Sequence, residues 1–466
     1  MILVPGRAEA RLGRSWLCVT LALWGLLGAA RGRAADFVVD TQSDGVDLSP
    51  GDGQCATGGG TCTLRAAIQE SNALPGLDRI SLPAGHFLLT IPGSSEDLGA
   101  SGDLDVRDDL VIEGSAVDAT AIDAQELDRV LDVQGAVGRV VTLRRLTLRN
   151  GRVGLPGRPY SGAGLSNGLG AQLNLEDVDI RDNVIQQFWG AAGIENAGCL
   201  RGTRVRILGN RDLEIQGTLM AAAGGVLTHG AGSCLELSDS ELSGNPGDYA
   251  GAIYADEQAP VTLRRTLLAE NQARFSGAML LNADNLVQLE NVTISNNRGN
   301  NAVLVDGGAN LALVNCTVTG NRGPDQFMAT VGGIHNVGGM AGPGGVVLTN
   351  TVLAGNGPAF LADDCRTVTS QGGNLVGHTA GCNLLGAQPT DQLDVDAQLS
   401  PLADHGGFTR THGPGPLALE RGLDAACPAM DQRGVARPQD ADGDGIARCD
   451  VGAVELVDLI FRDGFE

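Results

Sequence analysis

Lysine is absent from this chain of 466 residues, so every one of its 32 basic residues is an arginine. Any role that a lysine could fill, as a base or in binding an acidic ligand, would therefore fall to an arginine. Aromatic residues make up only 3% of the sequence, which argues against the aromatic platforms that sugar-binding clefts use. After residue 35, no apolar stretch is long enough to cross a bilayer as a helix, so we expect no transmembrane span there.

Glycine is abundant instead, with 69 residues, and a six-residue phrase recurs down the middle of the chain. Each copy alternates apolar and polar residues and ends in asparagine, at intervals of 24 to 35 residues. The terminal residues of the copies are Asn183, Asn210, Asn245, Asn271, Asn297, Asn321 and Asn356. A first copy is slightly offset and ends in Asn150 and Gly151. A strand-like phrase with this period predicts a solenoid, in which each coil buries its apolar face against its neighbours.

A second phrase, built on Gly-Gly or Gly-Ala and an apolar residue, alternates with the first, for example at 224–227, 251–254 and 277–280. Small residues there allow sharp turns and close approach of neighbouring coils. Alternation with a period of two favours strands over helices. The predicted fold is all-β, a right-handed parallel β-helix, with the asparagines stacked in one line as scaffold and each amide bonded to the next.

Residues 1–34 have the pattern of a secretory signal, with arginines, then an apolar run over 16–30, then small residues. Its removal takes away five arginines and one glutamate, which changes the formal charge from −23 to −27. So strong a negative charge argues against nucleic acid as a partner. It would also repel a long anionic polysaccharide unless calcium or an arginine groove intervened.

Nine cysteines remain after the signal, and a secreted protein keeps its cysteines oxidised where geometry allows. The pairs that we predict are Cys55–Cys62, Cys199–Cys234, Cys365–Cys382 and Cys427–Cys449. Cys316 is then left as a buried thiol. The sequence alone does not fix this connectivity, and zinc is disfavoured because no paired C-x-x-C motif occurs.

The segment 61–72 reads Thr-Cys-Thr-Leu-Arg-Ala-Ala-Ile-Gln-Glu-Ser-Asn, and Asp-Arg-Ile-Ser-Leu-Pro-Ala-Gly follows at 78–85. These residues resemble the CSLREA domain, which opens many secreted bacterial β-helix proteins, although Thr63 and Ala66 depart from its usual serine and glutamate. Apolar spacing over 64–72 predicts a short amphipathic helix. We expect 35–85 to be a cap whose helix covers the first coil, because an open solenoid end would expose its core.

The other end of the chain resembles the choice-of-anchor Q domain. The segments that carry this resemblance are 401–412, 431–438 and 449–455. It implies an irregular C-terminal module over 381–457, while the repeats over 86–380 are similar to those of chlamydial polymorphic outer-membrane proteins. The tail 458–466 resembles one found on secreted proteins of gamma-proteobacteria. These resemblances imply a protein that is secreted, extracellular or on the outer surface of a Gram-negative bacterium, and they imply no activity.

One acidic loop has the alternating pattern that opens a calcium loop. Asp440, Asp442 and Asp444 precede or flank glycine at alternate positions, as calcium ligands do. Valine stands at the twelfth position, where a bidentate glutamate is expected, and Asp450 one place earlier is the candidate substitute. The loop is therefore a candidate site for a structural calcium ion, with no other cofactor expected, and the alternative is a solvated turn tied by the last pair of cysteines.

Parallel β-helices also include enzymes, so catalysis is weighed against binding. Pectate lyases use an arginine or lysine base with calcium, and polygalacturonases use paired aspartates. The adjacent pairs in this chain are Asp108–Asp109, Asp363–Asp364, Arg144–Arg145 and Arg264–Arg265. The aspartate pairs stand outside the motifs of the hydrolases, one of which, Arg-Ile-Lys, requires lysine, and neighbours in a strand point to opposite faces. We assign no catalytic and no cofactor-binding residue.

The sequence therefore predicts a secreted or cell-surface β-helix protein that binds or adheres without catalysis. Its ligand is unknown, with a glycan or another cell-surface component as the expectation. The alternative is a polysaccharide-degrading enzyme like a pectate lyase or a polygalacturonase. A cleft lined by clustered carboxylates and arginines on one sheet face would favour the enzyme.

Overall fold

Alternating apolar and polar residues form short strands that pair with the equivalent strands of neighbouring coils. The computed structural model describes residues 34–94, 96–154, 161–186, 189–213, 222–323, 331–338, 345–357 and 364–457. Its registered strand pairs are parallel, from Asp36–Val38 against Asp78–Ser81 to Leu375–Val376 against Gln392–Leu393. The chain is a right-handed parallel β-helix, as predicted.

Three sheets run along the solenoid. The long sheet, with up to two strands in each coil, consists of Asp36–Val38, Asp78–Ser81, Gly85–Leu88, Leu110–Glu113, Thr120–Asp123, Val140–Arg149, Gln172–Arg181, Cys199–Leu208, Cys234–Ser238, Glu241–Ser243, Val261–Arg264, Leu267–Ala269, Leu286–Glu290, Thr293–Ser295, Asn310–Val314, Thr317–Thr319, Val346–Thr349, Val352–Ala354, Val368–Ser370, Leu375–Val376, Leu384–Leu385 and Gln392–Leu393. The glycine sheet, which contains the glycine phrases, consists of Leu104–Val106, Leu131–Val133, Leu165–Asn167, Ile194–Asn196, Val226–Thr228, Ile253–Ala255, Ser276–Leu281, Asn301–Val305, Ile334–Asn336 and Cys365–Arg366. The short sheet consists of Arg152–Val153, Val184–Ile185 and Arg211–Asp212.

Most coils turn between the two rows of the long sheet at a residue with a left-handed backbone. Asp177 and Arg204 have φ angles of 53°, and Asp239 has one of 49°. Asparagine and aspartate tolerate this conformation better than other non-glycine residues. Polar residues also suit the corner because it faces outwards, and three later coils use asparagine there, as with Asn291 and Asn350.

The buried asparagines form one continuous ladder, as the sequence predicts. Asn183 Nδ2 donates to Asn210 Oδ1 at 2.8 Å, and Asn271 Nδ2 donates to Asn297 Oδ1 at 3.0 Å. The same bond joins every neighbouring pair from Asn183 to Asn356. The offset first copy is explained by the register, which places Gly151 rather than Asn150 in line, and the Gly151 N–H donates to the Asn183 side chain.

The predicted capping helix is Leu64–Ala73, with Thr63 as its N-cap. Polar side chains of this helix attach it to the first coils. Buried Arg65 pairs with Asp44 and donates to the Gly99, Gly102 and Asp103 carbonyl oxygens. Asn72 Nδ2 donates to the Asp105 carbonyl oxygen at 2.7 Å. The helix therefore closes the end of the solenoid.

The C-terminal module folds back along the outside of the second row of the long sheet. Thr293 Oγ1 lies 2.6 Å from Gln432 Oε1, and Ser295 Oγ lies 2.8 Å from His412 Nε2. Asn315 Nδ2 donates to the Asp450 carbonyl oxygen at 2.9 Å. The asparagine corners thus mark the coils on which the module docks. The C-terminal module contains short antiparallel bridges and the 3-10 turn Asp424–Ala426.

Parallel pairing extends over 36–393, which is wider than the predicted repeat region 86–380. The first strands are too short, at three or four residues, to show a period in the sequence. All four predicted disulfide bonds are present, and Cys316 is free and buried, so that burial raises its pKa to about 12. No helix among the described residues is both long and apolar enough to cross a membrane. The signal over 1–34, apart from Ala34, and the tail 458–466 lie outside the described residues.

Candidate functional site

The outer face of the glycine sheet carries one row of side chains that changes character along the solenoid. Alternate residues of a strand point away from the core, and the parallel register brings these residues together from coil to coil. Asp105 and Asp132 are neighbours at the N-terminal end of the row. In the middle of the row, Leu227 is followed by Tyr254 and Leu280. This face therefore has an acidic end and an apolar centre.

Four of the few aromatic residues meet over the apolar centre. Trp189 packs edge-on against Tyr254, with ring centroids 5.5 Å apart. Tyr249 stacks between Tyr254 and Phe275, at 6.1 and 5.1 Å. Only 6% of Tyr254 is exposed, whereas 43% of Trp189 is exposed. We call these four residues the aromatic cluster, and it presents a tryptophan to solvent on a rigid base.

The surroundings of the aromatic cluster hold it in place. Leu227 and Leu280 are buried against it, and the guanidinium carbon of Arg274 lies 6.0 Å from the Phe275 ring centroid. Burial raises the pKa of Tyr254, whose hydroxyl donates to Asp256 Oδ2 at 3.4 Å. The tyrosine is therefore neutral over the ordinary pH range and acts through its ring and its hydroxyl.

The acidic end of the face is a buried cluster around Arg129. Arg129 Nε lies 2.8 Å from Asp103 Oδ2, and its Nη2 lies 3.6 Å from Asp132 Oδ2. Burial, together with Asp103 and Asp132, raises the pKa of Asp105 to about 8. The carboxyl of Asp105 accepts the Gly99 N–H at 2.8 Å and is only 1% exposed. The cluster therefore connects the N-terminal cap to the glycine sheet.

Glu195 links the acidic end to the apolar centre. Its Oε1 lies 3.1 Å from Nε2 of His229, in the next coil. The hydrogen bond to Glu195 raises the pKa of His229. Burial opposes the charge on Glu195, but its hydrogen bonds to His229 and Ser161 leave its pKa below the ordinary value. The two side chains therefore form an ion pair when the histidine is protonated.

The predicted calcium loop brings only part of its ligand set together. Carboxylate oxygens of Asp442, Asp444 and Glu420 lie within 4.8 Å of one another. Arg448 Nη1 lies 3.1 Å from Glu420 Oε2 and 3.2 Å from Asp444 Oδ2. The guanidinium group thus already supplies positive charge to these carboxylates, and a calcium ion would compete with it. Sequence reasoning missed Glu420, which lies 22 residues before Asp442 with no motif around it.

The other two predicted ligands are engaged elsewhere. Asp440 accepts the Gly443 and Gly445 N–H groups at 2.7 and 2.9 Å, which shapes the turn itself. Asp450 is fully buried, and its two carboxylate oxygens accept the backbone N–H groups of Glu420 and Leu456. Burial raises the pKa of Asp450 to about 6. It therefore acts as an interior connection of the C-terminal module.

The adjacent charged pairs are dispersed rather than gathered into a cleft. Arg144 pairs with Glu176, Arg145 with Glu113, and Arg265 with Asp239. Arg264 is exposed, and Asp109 Oδ1 accepts the Val140 N–H at 2.7 Å. Asp363 lies outside the described residues, and Asp364 ends the asparagine ladder.

The sequence held a signal for the aromatic cluster that its low aromatic content obscured. Tyr249 precedes one glycine phrase, Tyr254 ends it, and Phe275 precedes the next phrase. Because the glycine phrases stack, aromatic residues at these positions in successive coils must meet. Position within the repeat, rather than the total number of aromatic residues, was the informative quantity.

Residues 224–395 match the protein family described as a right handed beta helix region. Among solved structures, the chain is similar to pectate lyase Pel9A, with a TM-score of 0.46 and 11% identity over 92% of this chain and 98% of that one. It is also similar to the A-module of mannuronan C-5 epimerase AlgE6 from Azotobacter vinelandii, with a TM-score of 0.33 and 13% identity over 71% of this chain and 93% of that one. No curated protein matches the sequence. The family match and the strand register identify the chain as a parallel β-helix repeat protein.

Proposed function

We propose that this is a secreted or surface-exposed β-helix protein that binds a glycan without catalysis, and that the aromatic cluster is its contact surface. The observation that carries the proposal is Trp189, 43% exposed at the edge of four packed rings. A rigid aromatic ring offers a large contact area at low entropic cost. The apolar face of a sugar ring is the complementary surface for such a side chain.

The proposed location outside the cell is supported by the covalent structure. Four disulfide bonds tie the cap, two neighbouring coils, the end of the solenoid and the C-terminal module. Such bonds persist in oxidising compartments. The signal pattern over 1–34 agrees with this location.

A polysaccharide-degrading enzyme, like a pectate lyase or a polygalacturonase, is the second candidate. The observation in its favour is the acidic cluster on the same sheet face, where the pKa of Asp105 is raised to about 8. A general acid must reach its substrate, yet Asp105 is 1% exposed and Asp103 is bound to Arg129. Accessibility therefore favours binding over catalysis.

A glycan panel with product detection tests this proposal. The wild-type protein and Trp189→Ala are screened for binding, with Leu286→Ala as a control because Leu286 is 55% exposed on the long sheet. We expect Trp189→Ala to weaken binding about tenfold or more, the scale of a truncated aromatic anchor, and Leu286→Ala to have no effect. Unchanged binding by Trp189→Ala would contradict the proposal. Release of shortened glycans by the wild type, lost in Asp132→Asn, would favour the enzyme.

A further inference from the structure

Two exposed arginines are neighbours in successive coils, at the corner that follows the asparagine ladder. Arg298 and Arg322 come directly after Asn297 and Asn321, and a parallel bridge pairs them. Neighbouring parallel strands lie about 4.8 Å apart, so the two side chains leave the backbone close together. No described carboxylate forms an ion pair with either guanidinium group.

At the corner between the two rows of the long sheet, arginines are paired with carboxylates. Arg204 is paired with Asp177 of the preceding coil at 2.5 Å, and Arg265 is paired with Asp239 at 2.7 Å, each through two hydrogen bonds. Like charges directly opposite each other in a sheet are destabilising. The Arg298–Arg322 pair, which has no such carboxylate among the described ion pairs, therefore costs stability, and an anionic ligand would supply the missing charge.

The two arginines line an open groove of about 390 Å³, together with Glu270, Gln272, Asn296 and Gly320. Gly320 has a φ of 70°, and a Cβ there would lie 2.6 Å from Asn296 Oδ1. The absence of a side chain at this position therefore keeps the groove open. The side-chain amides of Gln272 and Asn296 add hydrogen-bond donors. We call these six residues the arginine groove.

The single carboxylate of the arginine groove is neutralised by the C-terminal module. Arg410 Nη1 lies 3.0 Å from Glu270 Oε1, and Arg410 Nη2 also reaches Glu241 at 3.2 Å. The groove is therefore a positive surface on a chain with a formal charge of −23. Docking of the C-terminal module contributes to this positive charge, because it places Arg410 beside Glu270.

We propose that the arginine groove binds an acidic saccharide, with the neighbouring side chains of Arg298 and Arg322 holding its anionic groups. Arginine suits this role because its planar fork binds carboxylates and sulfates through paired hydrogen bonds. Gln272 and Asn296 would bind the hydroxyl groups of the same ligand. The overall negative charge repels any long polyanion, whether nucleic acid or polysaccharide, so the groove suits a short acidic saccharide whose few charges meet the two arginines. This site is separate from the aromatic cluster and does not depend on it.

Binding measurements with defined oligomers test the proposal. The probes are an oligogalacturonate, a sulfated oligosaccharide, a neutral glucose oligomer of equal length and a single-stranded DNA oligomer. We expect the full chain to bind an acidic oligosaccharide with an affinity that falls as salt rises, and to leave the neutral one unbound. The first two probes separate carboxylate from sulfate as the anionic group. DNA binding of equal strength would overturn the assignment to a saccharide.

Matched variants locate the site. Arg298→Ala with Arg322→Ala should weaken binding at least tenfold, roughly the effect of losing one charge-assisted hydrogen bond. The control, Arg201→Ala with Arg204→Ala, makes the same change in net charge at two arginines that are already paired. Glu270→Gln should tighten binding, because it removes the carboxylate of the groove and releases Nη1 of Arg410, whose Nη2 still pairs with Glu241. An equal loss in the control pair would show that only net charge matters and would overturn the proposal. The melting temperature of the groove variant should not fall, whereas a structural role for the arginines would lower it.

Discussion

The asparagine ladder ends on Asp364, whose Oδ1 accepts both the backbone N–H of Asn356 at 2.8 Å and its Nδ2 at 2.9 Å. From Asn210 onwards, each ladder asparagine accepts two bonds on Oδ1 from the ladder asparagine before it, and its own Nδ2 also donates to a backbone carbonyl, as Asn271 does to Leu242. Asn356, the last asparagine, needs an acceptor that has no N–H groups of its own in need of a further partner. A carboxylate meets that need, so Asp364 completes the ladder.

Replacing Asn271 by alanine should destabilise the solenoid strongly. The change leaves the backbone N–H and Nδ2 of Asn245 without their acceptor, and it removes the bonds that Asn271 Nδ2 donates to the Leu242 carbonyl and to Asn297 Oδ1 in the interior. Each unsatisfied buried group costs about 1–3 kcal/mol, and partial rearrangement reduces the sum, so we expect a loss of about 2–4 kcal/mol. Urea unfolding measures it. Asn174→Ala, the same change in a half-buried strand residue, is the control and should cost less than about 0.5 kcal/mol. Similar losses for the two variants would contradict a special role for the ladder.

Asp364 should make stability depend on pH in a defined window. Burial raises its folded-state pKa to about 6 from the ordinary 3.8, so the folded state holds the proton more tightly than the unfolded state. Its contribution is fully present below about pH 4 and is lost as the pH rises through about 6, by up to about 3 kcal/mol. Asp364→Asn keeps the acceptor oxygen and removes the titration. The difference in unfolding free energy between the variant and the wild type should therefore shift in favour of the variant between pH 4 and 7. Parallel curves would contradict the raised pKa.

The sequence predicts the features that local patterns specify. The ladder and the capping helix both follow from local patterns, because one interaction recurs in every coil and one motif specifies one element. Asn150 illustrates the limit, since the phrase is recognisable but the register assigns its ladder position to Gly151. A shift of one residue is decided by the neighbouring coils, which a single phrase does not show.

Docking of the C-terminal module and formation of the arginine groove could not be predicted in this way. Contacts such as Thr293 with Gln432 join residues separated by 139 positions and occur once. Glu270 looks like an ordinary surface carboxylate until Arg410 is brought beside it. Arg298 and Arg322 were visible as Asn-Arg at the end of two phrases, but the lack of an ion pair between them and a described carboxylate is a property of the folded chain.

Arg437 should be essential to the C-terminal module through one buried ion pair. Its Nη1 lies 3.0 Å from Glu455 Oε2, and both side chains are fully buried. Burial raises the pKa of Glu455 to about 7, with Asp450 adding to the effect. Arg437→Met leaves that carboxylate without its cation, and breaking a buried pair typically costs about 3–5 kcal/mol. Calorimetry should show the loss in the transition of the module.

The double variant Arg437→Met, Glu455→Gln tests the cause of that loss. It removes the uncompensated charge, so it should recover part of the stability that the single variant loses. The single variant should also suffer more at pH 8 than at pH 5, because protonation of Glu455 relieves the unpaired charge at low pH. Equal destabilisation of the two variants at both pH values would show that packing, rather than charge, is responsible.

Arg448 should control whether the acidic loop responds to calcium. Its guanidinium group lies within 3.2 Å of Glu420 and Asp444, so calcium must compete with it for the same carboxylates. Arg448→Gln removes the competitor and leaves three carboxylates within 4.8 Å of one another, so calcium should raise the melting temperature of the C-terminal module more in this variant than in the wild type. An ion at a hundredfold excess over its dissociation constant adds about 2.7 kcal/mol. Calorimetry with calcium and with a chelator measures the shift, while the solenoid transition should stay in place. Adding Asp442→Asn to Arg448→Gln should reduce the shift, and identical traces with calcium and chelator in Arg448→Gln would show that the loop is only a solvated turn.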